Sequence, residues 1–252
     1  MNRHSRGPIV VALVMAVALL LTACTPSPKT LSVGADGKNV TVDWADYPGQ
    51  AGVDAAEVLL APSAEDVRGR SALIMGELER RVSEEFGVAW ENGPTGTEER
   101  DEPRYGGTIY PNGGNGYGRE SLYVTYNAIS RETLSIPTSV HDWNRIQDII
   151  NDVVQAHGLG ELTSDGLVDY WQWSGTAYGE SQWLYASLVD VERDGTGKAL
   201  EDMKGSVDYG WNSRAITISY GATVLPASDR EIFVKRLAPF EGLTQPNATS
   251  SD

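Results

Sequence analysis

Histidine is the side chain that most often carries acid–base chemistry or binds a metal, and this chain has little of it. It contains three histidines, and two of them, His141 and His157, fall at the ends of one predicted helix. They are sixteen residues apart, which is roughly 24 Å along a helix axis, too far to share a proton or a metal ion. No Gly-x-Ser-x-Gly, Ser-x-x-Lys, His-Glu-x-x-His or phosphate-loop motif occurs. We therefore predict no catalytic residue and no cofactor site.

Carboxylates are abundant, with 35 Asp and Glu residues. Two of them suffice to hydrolyse a glycosidic bond, but so many acids produce pairs by chance, and no pair stands out. The densest acidic run is Glu98, Glu99, Asp101 and Glu102. It is interrupted by Arg100 and lacks the alternating ligand spacing of a calcium loop. We interpret it as a solvated charged loop and predict no metal site.

An aromatic cluster is the one feature that rises above background. Six rings fall within sixteen residues: Tyr170, Trp171, Trp173, Tyr178, Trp183 and Tyr185. Alternation along a strand would place Trp171 and Trp173 on one face, with Tyr170 on the other. Two interpretations remain open. Trp171, Trp173, Trp183 and Tyr185 could form a face for a sugar, a lipid or a protein partner, or the rings could fill the core and pair across strands. The second is favoured, because the chain has only three Phe to fill a core.

The N-terminal residues form a distinct segment. Arg3, His4 and Arg6 precede an apolar run over 9–21, and Leu21-Thr22-Ala23-Cys24 follows directly. A spanning helix needs about 20 apolar residues, so this shorter run is typical of a signal peptide. The tetrapeptide resembles the bacterial lipobox, in which the cysteine thiol receives a diacylglycerol before cleavage. This resemblance implies lipidation of Cys24 and anchoring in the cell membrane on its extracytoplasmic side.

Composition limits the partners that a folded domain could have. Cys24 is the only cysteine, so the fold has no disulfide. The net charge of −15 argues against binding to nucleic acid, whose phosphates require a basic surface. We therefore expect the membrane to be contacted through lipid on Cys24.

Two amphipathic helices must form the frame of the domain. The first is predicted over about 64–86: Ser63 and Asp66 form a capping pair before it, apolar residues recur at helical spacing, and Gly87 follows it. The second begins after Pro137, with Ser139 and Asp142 in the same capping arrangement, and ends at Gly158. A short third helix is predicted before Pro239.

Strands are predicted between and after these helices. The predicted ranges are 88–90, 120–130, 167–174, 182–191, 206–211 and 214–225, with a long loop over 92–118 and a turn at Asp194-Gly195. Helices do not alternate with single strands, so the predicted class is α+β, an antiparallel sheet with the helices packed on one face. The predicted organisation is a signal peptide (1–23), a lipidated cysteine and tether (24–60), a single soluble α+β domain (61–242) and a disordered tail (243–252).

This order of features resembles the small mycobacterial LppA-type lipoproteins. The resemblance rests on the lipobox, the capped helix leading into Val88-Ala89-Trp90, and the second helix ending at Gly158. It extends to an aromatic-rich strand pair around Tyr209-Gly210-Trp211 and Ile216-Thr217-Ile218, and so covers most of 63–225. The family offers no catalytic residue to carry over, and a disulfide of its members could not form here.

Two functional hypotheses follow. The first is a non-enzymatic, membrane-anchored extracytoplasmic lipoprotein that binds or scaffolds a glycan, lipid or protein of the cell envelope. The second is an envelope glycan hydrolase that uses a carboxylate pair. The missing nucleophile motifs and metal ligands favour the first.

Overall fold

The structure is a computed structural model that describes residues 26–33, 37–94, 106–164 and 170–250. Cys24, the predicted signal peptide and the acidic run over 98–102 lie outside the described residues. None of the described helices is both long and apolar enough to cross a membrane.

The chain divides into two compact units. The first comprises the described parts of Met1–Gly52, Gly113–Ser121 and Lys235–Asp252, and the second comprises those of Val53–Asn112 and Leu122–Val234. This division differs from the predicted one, since the first unit combines residues of the predicted tether, domain and tail.

The first unit contains an antiparallel hairpin of β1 (Lys29–Val33) and β2 (Asn39–Asp43). Its small core is aromatic: Trp44, Tyr47, Tyr117 and Phe240 pack together with Val42.

The C-terminal residues of this unit, which we expected to be loose, make specific hydrogen bonds. The Tyr117 hydroxyl donates to the Pro246 carbonyl at 2.6 Å, and the Thr249 amide donates to the Gly116 carbonyl at 2.8 Å. Main-chain groups supply these partners, which a polar composition does not reveal.

The second unit is built on an eight-stranded sheet. Its order is β3-β6-β10-β9-β8-β7, and β5 pairs with both β10 and β4. All of these pairings are antiparallel. The strands are β3 (Trp90–Asn92), β4 (Gly107–Pro111), β5 (Val124–Ala128), β6 (Arg131–Thr133), β7 (Thr163–Ser164), β8 (Gln172–Gly179), β9 (Gln182–Asp190) and β10 (Arg214–Val224).

The described residues also form six α-helices. They are α1 (Ala55–Leu60), α2 (Val67–Phe86), α3 (Val140–Ala156), α4 (Lys198–Asp202), α5 (Lys204–Asp208) and α6 (Arg230–Leu237). The long helices α2 and α3 contact each other and the sheet. Their apolar stripes bury the main core with one face of β8, β9 and β10, including Ile74, Leu78, Ile146, Ile150, Leu184, Leu188, Ile216 and Ile218. The predicted α+β class is confirmed.

Local signals correctly place both ends of α3 and the end of α2, whereas α2 begins at Val67, about three residues later than predicted, and its N-cap Asp66 makes no side-chain capping bond. The Ser139 hydroxyl accepts from the Asp142 amide at 3.0 Å, which caps α3. The Ser63 hydroxyl accepts from the Asp66 amide in the turn that leads into α2. Gly87, at φ 68°, adopts the left-handed conformation that ends α2.

One predicted strand, one loop and one turn were wrong. Residues 204–208 form α5, where a strand over 206–211 was expected, and β9 pairs directly with β10, which leaves no place for a strand between them. The expected loop over 92–118 contains β4, which pairs with β5. The Asp194-Gly195 turn does not join two strands directly, since α4 and α5 intervene before β10.

Candidate ligand-binding pocket

One face of the central sheet is apolar and the other is polar. Side chains alternate along each strand, so those between the core residues of β8, β9 and β10 point away from α2 and α3. On this second face, which we call the open face, lie Gln172, Ser174, Tyr185, Ser187, Val189, Thr217 and Ser219.

The strand register brings four polar side chains into one row across the open face. Ser174 of β8 lies opposite Ser187 of β9, Ser187 lies opposite Thr217 of β10, and Thr217 lies opposite Glu132 of β6. Directly opposed residues on one face of an antiparallel pair have Cβ atoms about 4.5–5.5 Å apart. The row, which we call the polar ladder, therefore presents adjacent hydroxyls that end in a carboxyl group.

The segment between β9 and β10 forms a wall beside the open face, so that this face becomes the floor of a pocket. Trp171 packs with Val189, Val191, Ala199 and Met203 on one side. Trp211 and Asn212, which follow α5, contribute further lining. The enclosed volume is about 720 Å³, within the range of small-molecule sites.

Glu132 is the buried ionisable group of the pocket, with 2% of its surface exposed. Its Oε1 accepts a hydrogen bond from the Asn212 amide at 3.0 Å. Burial raises the pKa of the Glu132 carboxyl above its ordinary value, and the nearby charge of Glu91 raises it further, while the bond from Asn212 opposes both. The carboxyl group is thus able to hold a proton at a higher pH than a free glutamate.

Asp194 holds the segment that forms the wall of the pocket in place through several hydrogen bonds. Its carboxylate accepts hydrogen bonds from the Tyr170 hydroxyl, from the Thr196 hydroxyl and from the Ala199 amide at the start of α4. These bonds, that from Tyr170 foremost, hold the pKa of Asp194 well below its usual range. The carboxylate stays ionised and ties the loop to α4.

The structure separates the aromatic residues that the sequence grouped. Trp171 and Tyr185 line the pocket. Trp173 also borders it, but is buried in the main core. Trp183 shares the open face with Tyr185, lies opposite Gly221, and is not part of the pocket lining.

The expectation that Trp171 and Trp173 share a face was wrong. Strand β8 begins only at Gln172, so Trp171 stands in the preceding turn, where the alternation does not apply. Of the pocket residues, sequence reasoning missed Glu132, Trp211 and the serines. The signal was limited: each of the three strands carries hydroxyl side chains at two alternate positions of the open face, such as Thr217 and Ser219 of β10.

The structure does not bring His141 and His157 together. His141 lies exposed in the first turn of α3. His157 follows α3, where its Nε2 lies 2.9 Å from a Glu77 carboxylate oxygen. Neither residue lines the pocket.

Our prediction of metal sites missed a second acidic stretch. Residues 190–201 carry Asp190, Glu192, Asp194, Gly195 and Glu201 at the spacing of a calcium loop. The Arg214 guanidinium engages both Asp190, at 3.0 Å, and Glu192, at 2.7 Å. In the part of the chain that the structure describes, no group of three His, Cys, Asp or Glu side chains is arranged to hold a metal ion. The absence of a metal stays a prediction.

No protein-family model and no curated protein sequence matches the chain. Among solved structures, it is similar to LppA of Mycobacterium tuberculosis, which is described as a lipoprotein. The two are 12% identical with a TM-score of 0.44, and the match covers 66% of this chain and 80% of LppA. A match at this level does not define a family.

Proposed function

We propose that the protein is a lipoprotein, anchored through acyl chains on Cys24 on the extracytoplasmic side of the cell membrane, that binds a component of the cell envelope. Its N-terminal pattern of basic residues, short apolar run and lipobox supports the anchor. The pocket on the open face of the sheet supports the binding activity.

The observation that carries the proposal is the chemistry of this face. A sheet face that merely meets solvent has no need of a concave wall, yet here Trp171 and Trp211 help to enclose a row of small hydroxyl side chains. A few polar groups within an aromatic-walled cavity are the usual composition of a ligand site.

The proposal is tested by filling the pocket. Ser187 lies in the middle of the polar ladder and points away from the main core, so Ser187→Trp adds an indole to the cavity while leaving the core intact. The full chain, immobilised in detergent, is incubated with an extract of the envelope of its bacterium. We expect the wild type to retain an extract component that Ser187→Trp does not retain.

A matched control separates pocket filling from a general effect of an added indole. Thr108→Trp introduces the same ring at an exposed strand position in β4, outside the pocket. It should retain the component as the wild type does, and thermal melts should show all three proteins folded. Equal retention by Ser187→Trp and the wild type would contradict the proposal.

Glu132 supports a second candidate, hydrolysis of an envelope glycan. A buried carboxyl with a raised pKa is suited to act as a general acid, and Asp202 is another carboxyl group of the pocket. If this candidate is correct, the wild type releases reducing ends from purified envelope glycan, and Glu132→Gln abolishes the release without weakening retention. A wild-type protein that releases none excludes this candidate.

A further inference from the structure

The lining of the pocket is specific enough to indicate the class of its ligand. We infer that the pocket binds an uncharged saccharide, a segment of a neutral glycan chain. The inference rests on the proposed function, because it names the ligand of the same site.

Charge excludes one large group of ligands. Among the described residues that line the pocket there is no Lys, Arg or His, and the carboxyl groups are those of Glu132 and Asp202. A phosphate or carboxylate ligand would meet no cation there and would be repelled by these acids. The ligand therefore carries no anionic group into the pocket.

The polar ladder matches a ligand with adjacent hydroxyl groups. In the described part of the chain, the hydroxyls of Ser174, Ser187 and Thr217 make no hydrogen bond to protein, although three neighbouring strands align them. Each hydroxyl can donate one hydrogen bond and accept two. Gln172 adds a side-chain amide, which both donates and accepts. Such a mixed surface suits a sugar, whose hydroxyls also donate and accept.

The carboxyl of Glu132 gives the ladder one strong acceptor. Its Oε1 already accepts from the Asn212 amide, which orients the group. A sugar hydroxyl can donate to a carboxyl oxygen of Glu132, and when the group is ionised the bond is charge-assisted, about twice as strong as a neutral one. The acid is thus a recognition group for hydroxyl donors and contributes nothing to binding of an anion.

Aromatic rings supply the apolar part of the site. Tyr185 stands on the open face beside the ladder and Trp211 lies on the wall, and both rings are partly accessible. Sugar rings have an apolar face of C–H groups, which packs against flat aromatic surfaces while the hydroxyls at the ring edge make hydrogen bonds. The floor of the pocket carries hydroxyl groups and its side carries aromatic rings. This arrangement matches the hydroxyls and the apolar C–H face of a pyranose.

The binding test uses the full chain in detergent with defined probes. Cellohexaose, chitohexaose and mannohexaose represent neutral chains, and hexagalacturonate represents an anionic chain of equal length. Titration calorimetry and tryptophan fluorescence report binding. We expect saturable binding of a neutral hexasaccharide that Tyr185→Ala and Trp211→Ala each weaken at least tenfold, and no binding of hexagalacturonate.

The controls use rings close to the site that do not line it. Tyr178, on the open face of β8, and Tyr209, two residues before Trp211, are both exposed and absent from the pocket lining. Tyr178→Ala and Tyr209→Ala should bind the neutral probe as the wild type does. Equal weakening by the control variants, or binding of hexagalacturonate at least as tight as that of the neutral probe, would overturn the inference.

The sugar content of the material captured from the extract distinguishes failure of this inference from failure of the proposed function. After acid hydrolysis, neutral sugar that is present in the wild-type capture and absent from the Ser187→Trp capture supports the saccharide. If capture depends on the pocket but the captured material contains no neutral sugar, the inference of a saccharide ligand is overturned. The proposed binding function is then still supported. Capture that does not depend on Ser187 overturns both.

Discussion

At the scale of single residues, Glu132 combines a structural cost with a role in the pocket. Because burial raises its pKa above the ordinary 4.5, the folded protein holds the proton more tightly than the unfolded chain does. The stability of the wild type therefore falls as pH rises from about 4.5 through the folded pKa. A group that is costly to keep charged is a natural candidate for ligand recognition.

Glu132→Gln removes this charge and keeps an oxygen that can accept from the Asn212 amide. We expect the variant to be more stable than the wild type at pH 8, with a difference that shrinks on acidification and disappears below pH 4. Urea unfolding across this pH range measures it. A difference that is independent of pH would show that ionisation of Glu132 is not its cause. Glu91→Gln, which changes an exposed neighbour, should have a smaller effect of the same sign.

Arg131 and Glu79 form a buried ion pair on the other side of the same strand. The Arg131 Nε donates to the Glu79 carboxylate at 2.8 Å, with only 6% and 2% of the two side chains exposed. Removing one partner of such a pair leaves a buried, uncompensated charge, which costs about 3–5 kcal/mol. Replacing both partners with apolar residues of similar size removes that penalty.

We expect Arg131→Met to lower the free energy of unfolding by about 3–5 kcal/mol, and Arg131→Met with Glu79→Met to recover most of the loss. Urea denaturation of the wild type, the Arg131→Met and Glu79→Met variants and the double variant gives a complete double-mutant cycle. A double variant that is as unstable as Arg131→Met would show that the two charges are not coupled.

At the scale of elements, α2 and α3 hold the face of the sheet opposite the pocket. Their stripes cover one face of β8, β9 and β10, the three strands that carry the serines and the threonine of the ladder. The wall of the pocket depends instead on Asp194, which ties the loop to α4, and on Asn212, which binds Glu132. The main core and the proposed binding pocket thus lie on opposite faces of the same sheet.

Leu78→Ala tests the contribution of α2. Leu78 is fully buried in the main core, and truncation of such a side chain costs about 2–5 kcal/mol. Leu73→Ala on the same helix is the matched control, because 64% of Leu73 is exposed and its loss should cost about 0.5 kcal/mol or less. Equal shifts of the thermal midpoint in the two variants would mean that the stripe is not a core face.

At the scale of the whole molecule, the proposed anchor lies outside the described residues and depends on one atom, the thiol of Cys24. No other cysteine in the chain could substitute for it. Acyl chains contribute about 0.8 kcal/mol per buried CH₂ group, so two or more chains would hold the protein on a membrane.

Cys24→Ala should therefore abolish incorporation of a fatty-acid probe in growing cells and leave the protein uncleaved or displaced from the membrane fraction. Cys24→Ser controls for the loss of the thiol alone and should behave in the same way. Label retained by either variant would show that lipid is attached elsewhere or not through this motif.

Local signals sufficed for both long helices and for the α+β class. The Ser139 cap, the apolar spacing and the left-handed Gly87 act within one or two helical turns, so they are legible without knowledge of the rest of the chain. Expected strands at about 182–191 and 214–225 likewise agree with β9 and β10, because long alternating runs leave little choice of structure.

Pairing between strands that are distant in the sequence determined the rest of the fold, including the pocket. Whether residues 206–211 form a strand depends on how the flanking strands pair, and β9 pairs directly with β10, which leaves no place for a strand between them. Ser174, Ser187, Thr217 and Glu132 come from four separate strands and become neighbours only through their register. A shift of one residue in that register would turn a strand's polar side chains into the core. The candidate site is therefore a product of sheet order and register, which no local stretch of sequence encodes.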